Sequence, residues 1–165
     1  MSLDRDISYL RQVPLLEAFS DEQLRLFAFS AENITINAGT ELYHQGERTE
    51  AGYVVVSGEI VLSEESEEGA EERGTFGPGS LLGEMALFIE TSRPNTAVAR
   101  ERSEVIRIRR ALFKRMLQEY PDIAEALRVK LTDRLRATTS EMSRVADTLD
   151  EISAFAAAEA GKTVR

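Results

Sequence analysis

The hydrophobic pattern changes period twice along the chain. Residues 4–11 repeat at helical spacing, with Ile7 and Leu10 on one face and Leu3 beside them. Val13-Pro14-Leu15-Leu16 is a compact apolar turn. Ser20 followed by Gln23 is a capping-box start, and the helix it opens runs to about residue 29 with Leu24, Phe27 and Ala28 inward. From Ile34 the period becomes two. Short strands are predicted at 34–36, 41–44, 53–57, 59–63, 74–76, 81–82, 96–99 and 104–108, punctuated by glycines. Many short strands with turn signals between them predict a sandwich or roll. A helix follows over 111–120, and Pro121 opens another.

No proline or glycine interrupts residues 122–160, which predicts one continuous helix. Its apolar positions are Leu127, Leu131, Leu135, Met142, Val145, Leu149, Ile152 and Ala156, with Thr138 on the same stripe. From Leu135 the steps alternate between three and four, a heptad seam flanked by charge. A seam of that length predicts a parallel coil with a second copy and a twofold homodimer through 121–160. The alternative is an amphipathic helix folded back on its own domain.

Composition narrows the class. The 165 residues suffice for one domain with a real core, and the balance of 42% apolar and 30% charged is that of a globular protein. There is no cysteine, no long apolar run and no signal-like start. These features predict a cytoplasmic protein without disulfides or a membrane span. A net charge of −9 makes free DNA a poor partner. The cluster Arg107, Arg109, Arg110, Lys114 and Arg115 reads as solvated residues at a strand end and on a helix face. So does the acidic stretch 64–73, whose spacing matches no cation loop. His44, the sole histidine, has no partners that would make it catalytic or a haem ligand. The run 156–163 lacks the first glycine and the preceding strand of a triphosphate loop. No nucleophile, acid–base or metal constellation is present, so no enzyme activity and no metal are expected.

The chemistry concentrates in Leu81–Ala97. Gly83 lets backbone approach a ligand, and the N–H groups of the turn after it, through Met85 and Ala86, suit an anion. Glu84 can accept from sugar hydroxyls. Arg93, nine residues on, can grip two phosphate oxygens. A Glu84–Arg93 salt bridge in an empty roll would leave the same pattern. Pro94 has no N–H to offer, so a bond there must be missing or replaced by Asn95 or the Thr96 hydroxyl.

Gly83-Glu-Met-Ala-Leu87 with Arg93 resembles the phosphate-binding cassette of cyclic nucleotide-binding domains, the family of the catabolite activators and of protein kinase A regulatory subunits. The likeness runs over roughly residues 12–140. It implies an α+β fold: an antiparallel β-roll, or jelly roll, with helices before it and a long dimerisation helix after it. It assigns the ribose 2′-hydroxyl to Glu84 and the cyclic phosphate to Arg93. In the activator branch the dimer helix also meets the ligand, which by resemblance makes Arg134, Thr138 and Thr139 ligand-contacting positions, with the base edge read by Thr138 and, from a second subunit, Thr139.

The expected organisation is a roll with helical lead-in over 1–120, a coil over 121–160 and a loose tail over 161–165. The expected function is a sensor of cyclic AMP, with cyclic GMP second, acting on an unknown effector protein. No second globular pattern follows the seam, so no DNA-binding or catalytic output segment is expected. A dimeric interaction module that binds no nucleotide, or a sensor of another small anion, would use the same fold.

Overall fold

A computed structural model describes residues 3–134 and 140–163. Among the described residues the chain begins with helix α1 (Leu3–Arg11), a 3-10 turn at Pro14–Leu16 and helix α2 (Asp21–Ser30). The capping box forms as predicted: Ser20 Oγ accepts from the Gln23 N–H, and Gln23 Oε1 accepts from the Ser20 N–H. Such a cap is worth about 1 kcal/mol.

Strands β1 (Glu32–Ile36), β2 (Glu41–Tyr43), β3 (Ala51–Ser57), β4 (Ile60–Ser66), β5 (Gly69–Phe76), β6 (Leu81–Leu82), β7 (Thr96–Ala99) and β8 (Ser103–Arg109) follow. They form two antiparallel sheets, in the orders β1-β8-β3-β6 and β2-β7-β4-β5. The architecture is the antiparallel roll that the period-two pattern predicts. The acidic stretch 64–73 is a hairpin tip, paired from Glu64–Glu71 to Ser66–Gly69. Arg73 ties Glu64 at 2.8 Å across it.

Strand β3 explains why the core has two compartments. Nearly all of it is buried, because both faces of its sheet are covered. Ala51, Tyr53 and Val55 point between the sheets, with Tyr43, Ile60, Leu82, Ala97 and Val105. Val54 and Val56 point the other way, into a cluster with Phe27, Phe113, Leu117 and Leu127. The period of two makes that division automatic.

After β8 come α3 (Arg110–Glu119), α4 (Pro121–Arg134) and α5 (Ser140–Thr163). Two helices therefore stand where one continuous helix over 121–160 is predicted. Helix α5 packs on α4 and α3. Val145, Leu149 and Ile152, the middle of the expected seam, are at most 2% exposed in the chain's own core. Folding back removes this stripe from water within one chain. Arg128 of α4 reaches Asp150 of α5 at 3.8 Å, and Arg144 of α5 donates to the Glu90 carbonyl at 2.9 Å. The helix also runs through Gly161 to Thr163, residues expected to belong to a loose tail. Among the described residues no helix is long and apolar enough to cross a membrane.

Candidate functional site

Gly83 follows β6 and opens a 3-10 turn over Glu84–Leu87. It adopts φ 77° and ψ 44°, the left-handed region where a side chain is disfavoured. A Cβ on it would also stand 2.6 Å from Arg93 Nη1. The turn is anchored on its apolar side. Ala86, Leu87, Phe88 and Ile89 are buried, and Phe88 meets the Phe113 ring of α3 edge-on at 5.3 Å.

Arg93 is held from several directions. Its backbone N–H donates to the Glu47 carbonyl at 2.8 Å, and its carbonyl accepts from the Gly46 N–H at 2.9 Å. Thr91 and Thr49 exchange two further bonds, Thr49 N–H to the Thr91 carbonyl and Thr91 N–H to Thr49 Oγ1. The side chain turns into the roll and is only 5% exposed. Nη2 donates to the Ala51 carbonyl at 2.8 Å. The guanidinium lies 4.2 Å over the Tyr43 ring and 5.6 Å from that of Tyr53. Among the described residues no carboxylate pairs with it. Burial pushes its pKa down, and the two tyrosines and the more distant charge of Glu47 act in the opposite direction. An arginine still keeps its proton under these conditions, so a positive charge is fixed in the interior. The expected alternative of a Glu84–Arg93 salt bridge does not form.

Gly83, Glu84, Met85, Ala86, Arg93 and Pro94 line one cavity of about 260 Å³, together with Thr49, Thr91 and Ser92. Six residues singled out in the sequence thus converge. Asn95 and Thr96 do not line it. Thr96 is buried and its hydroxyl oxygen accepts from the Gln45 N–H at 3.0 Å. Thr138 and Thr139, expected to read a base, and the side chain of Arg134 lie outside what the structure describes.

Arg110 corrects the reading of its basic cluster as solvated. From the first position of α3, Nη1 donates to the carbonyls of Ile89 at 2.7 Å and Ala86 at 3.0 Å, and Nη2 to the Thr49 carbonyl at 2.8 Å. One guanidinium so joins the far end of the Gly83 turn, the segment before β3 and α3. Nothing local in a run of arginines signals this, because the acceptors come from elsewhere in the chain. Tyr43 and Tyr53 were likewise not singled out, although alternation places both inward.

A roll whose glycine-led turn and buried arginine face one cavity is built to receive an anion. The chain belongs to the cyclic nucleotide-binding domain family, whose model matches residues 33–120. A solved structure from Brucella abortus, described as a cyclic nucleotide-binding-like protein, is 46% identical with a TM-score of 0.64, over 68% of this chain and 97% of that one. The Thermus thermophilus catabolite activator protein is 30% identical with a TM-score of 0.65, over 74% of this chain and 58% of that one. Among curated relatives, lysophospholipase NTE1 of Pyricularia oryzae is 34% identical over 116 residues, which are 70% of this chain and 8% of the relative. The chain thus spans less than a tenth of that relative's length.

Proposed function

We propose that the domain is a receptor for a cyclic nucleoside monophosphate, with cyclic AMP the first choice and cyclic GMP the second. The observation that carries this reading is Arg93: a guanidinium 5% exposed, without a carboxylate partner among the described residues, set against Gly83. A buried charge without a counter-ion is costly, and a bound phosphate relieves that cost. Glu84 lines the same cavity, which supports giving it the ribose hydroxyls. The domain's role is regulatory rather than catalytic, in a cytoplasmic setting. It transmits occupancy to an effector through the helices after the roll. The small share of the lysophospholipase relative that this chain matches supports reading it as a regulatory module. The choice of cyclic AMP rests on the resemblance of 134–139 to the activator dimer helix.

The test is titration calorimetry with cyclic AMP and cyclic GMP on the natural protein and on Arg93→Ala. Binding by the natural protein should fall by at least about tenfold in the variant, since a bond to a charged group is worth roughly 1.5–3 kcal/mol. Equal binding by both proteins removes Arg93 from the site. No heat with either nucleotide at millimolar concentration leaves a non-binding interaction module as the better description.

A further inference from the structure

A second cavity, of about 450 Å³, adjoins the first and shares only Arg93 and Thr49 with it. Gly83 and the turn after it have no part in its lining. Its inner wall is made by Tyr43 and Tyr53, 7% and 4% exposed, with Arg93 stacked on both. Arg107 stands on β8 directly opposite Tyr53 in register, its guanidinium 5.5 Å from that ring. The Arg107 Nε is buried and has no hydrogen-bond partner. Its Nη1 reaches Glu32 at 3.3 Å, but Glu32 is held more closely by Arg109, at 2.8 Å. One carboxylate therefore serves two guanidinium groups.

The carboxylates on the cavity lie at its outer edge. Glu47, Glu50 and Glu90 are all exposed, the side chains of the last two 64% and 50%; Glu47 acts on Arg93 only through its charge, and Glu90 is engaged by Arg48 at 2.8 Å. Charges at that edge are screened by water and salt, whereas those at depth are not. The result is a cation-lined interior within a chain of net charge −9.

We propose that this second cavity binds a phosphoryl group, with Arg107 as its principal cation and Arg93 as the wall it shares with the nucleotide cavity. The proposal rests on the cyclic-nucleotide reading only for the consequence of that sharing. A phosphoryl group here competes for the guanidinium that a cyclic monophosphate uses. The group can come from free phosphate or from a ligand carrying a second phosphate.

The experiment uses inorganic phosphate, cyclic AMP and 3′,5′-cyclic di-AMP on the full chain, in chloride buffer at fixed ionic strength. The natural protein and Arg107→Gln are compared by calorimetry, with thermal unfolding as the check that the variant is folded. Inorganic phosphate should bind the natural protein and lose at least about tenfold in Arg107→Gln, the share of one charge-assisted contact. Phosphate should weaken cyclic AMP binding in the natural protein and not in the variant. If cyclic di-AMP instead binds more tightly than cyclic AMP and loses that margin in Arg107→Gln, the second phosphate is the natural occupant. Should Arg107→Gln not fold, the Arg107 Nε–H resonance of the natural protein, assigned with Arg107→Lys, must move on adding phosphate or the dinucleotide. The proposal falls if neither ligand moves that resonance, or if both bind the folded variant as they bind the natural protein. Absence of cyclic AMP binding alone, with phosphate still bound through Arg107, counts against the nucleotide reading and leaves the second site standing.

Discussion

Replacing Leu149 by alanine tests where the last helix belongs. Leu149 is 1% exposed and sits in one cluster with Phe88, Ile89, Leu117 and Leu127. Losing a buried leucine to alanine costs about 2–5 kcal/mol, the transfer term plus the cavity left behind. Its neighbours come from the cassette, α3 and α4, which limits how far the site can collapse, so about 3 kcal/mol is expected. With a urea slope of about 2 kcal/mol per molar, the midpoint should fall by about 1.5 M. Phe155, 46% exposed on the same helix, is the control, and its alanine variant should cost less than about 1 kcal/mol. Both are measured by far-ultraviolet circular dichroism at protein concentrations differing a hundredfold. In an intramolecular packing the midpoints do not depend on concentration. A midpoint for the natural protein that falls on dilution, with Leu149→Ala abolishing that dependence, would place the seam between two copies and refute the reasoning.

Two further outcomes follow from particular contacts. Arg110→Met should lower stability by roughly 2–4 kcal/mol, because the carbonyls of Ala86, Ile89 and Thr49 lose their donor. Arg110→Lys should recover less than half of it, since one ammonium cannot reproduce a planar fork, and melting temperatures of both near the natural value would rule out the clamp. His44 Nδ1 donates to the Glu41 carboxylate at 3.2 Å, and that bond, with nearby Glu41, Glu65 and Glu47 charge, raises its pKa above the ordinary imidazole value. The charged form is favoured by folding, so the small stabilisation is present in full below the ordinary value and is lost as pH rises through the raised one. An NMR titration of this single histidine should show the raised value, and Glu41→Gln should bring it down.

Most of the roll was legible because alternation is a local signal. Tyr53, Val54 and Val55 could be assigned to faces before their partners were known, and Ser20 with Gln23 marked a helix start within four residues. The Gly83–Arg93 segment was legible because its glycine, carboxylate and arginine lie close together in the chain. The partition of α4 from α5 was not. A stripe at heptad spacing has the same pattern whether it meets a second copy or Phe88 and Leu117 of its own chain. No proline or glycine marks residues 135–139. Arg110 and Arg107 escaped for a related reason: their roles depend on acceptors and rings many residues away, brought near only by strand order.

The interlocking of 91–93 with 46–49 has a kinetic corollary. A long flexible side chain normally surrenders about 1.5–2 kcal/mol of rotamer entropy when it closes on a ligand. Arg93 has already done so during folding, pinned by Tyr43 and the Ala51 carbonyl. On the proposed reading, capture of an anion then requires no search by the receptor for its grip. Encounter frequency sets how fast the complex forms, and selectivity among anions is decided by how long each one stays.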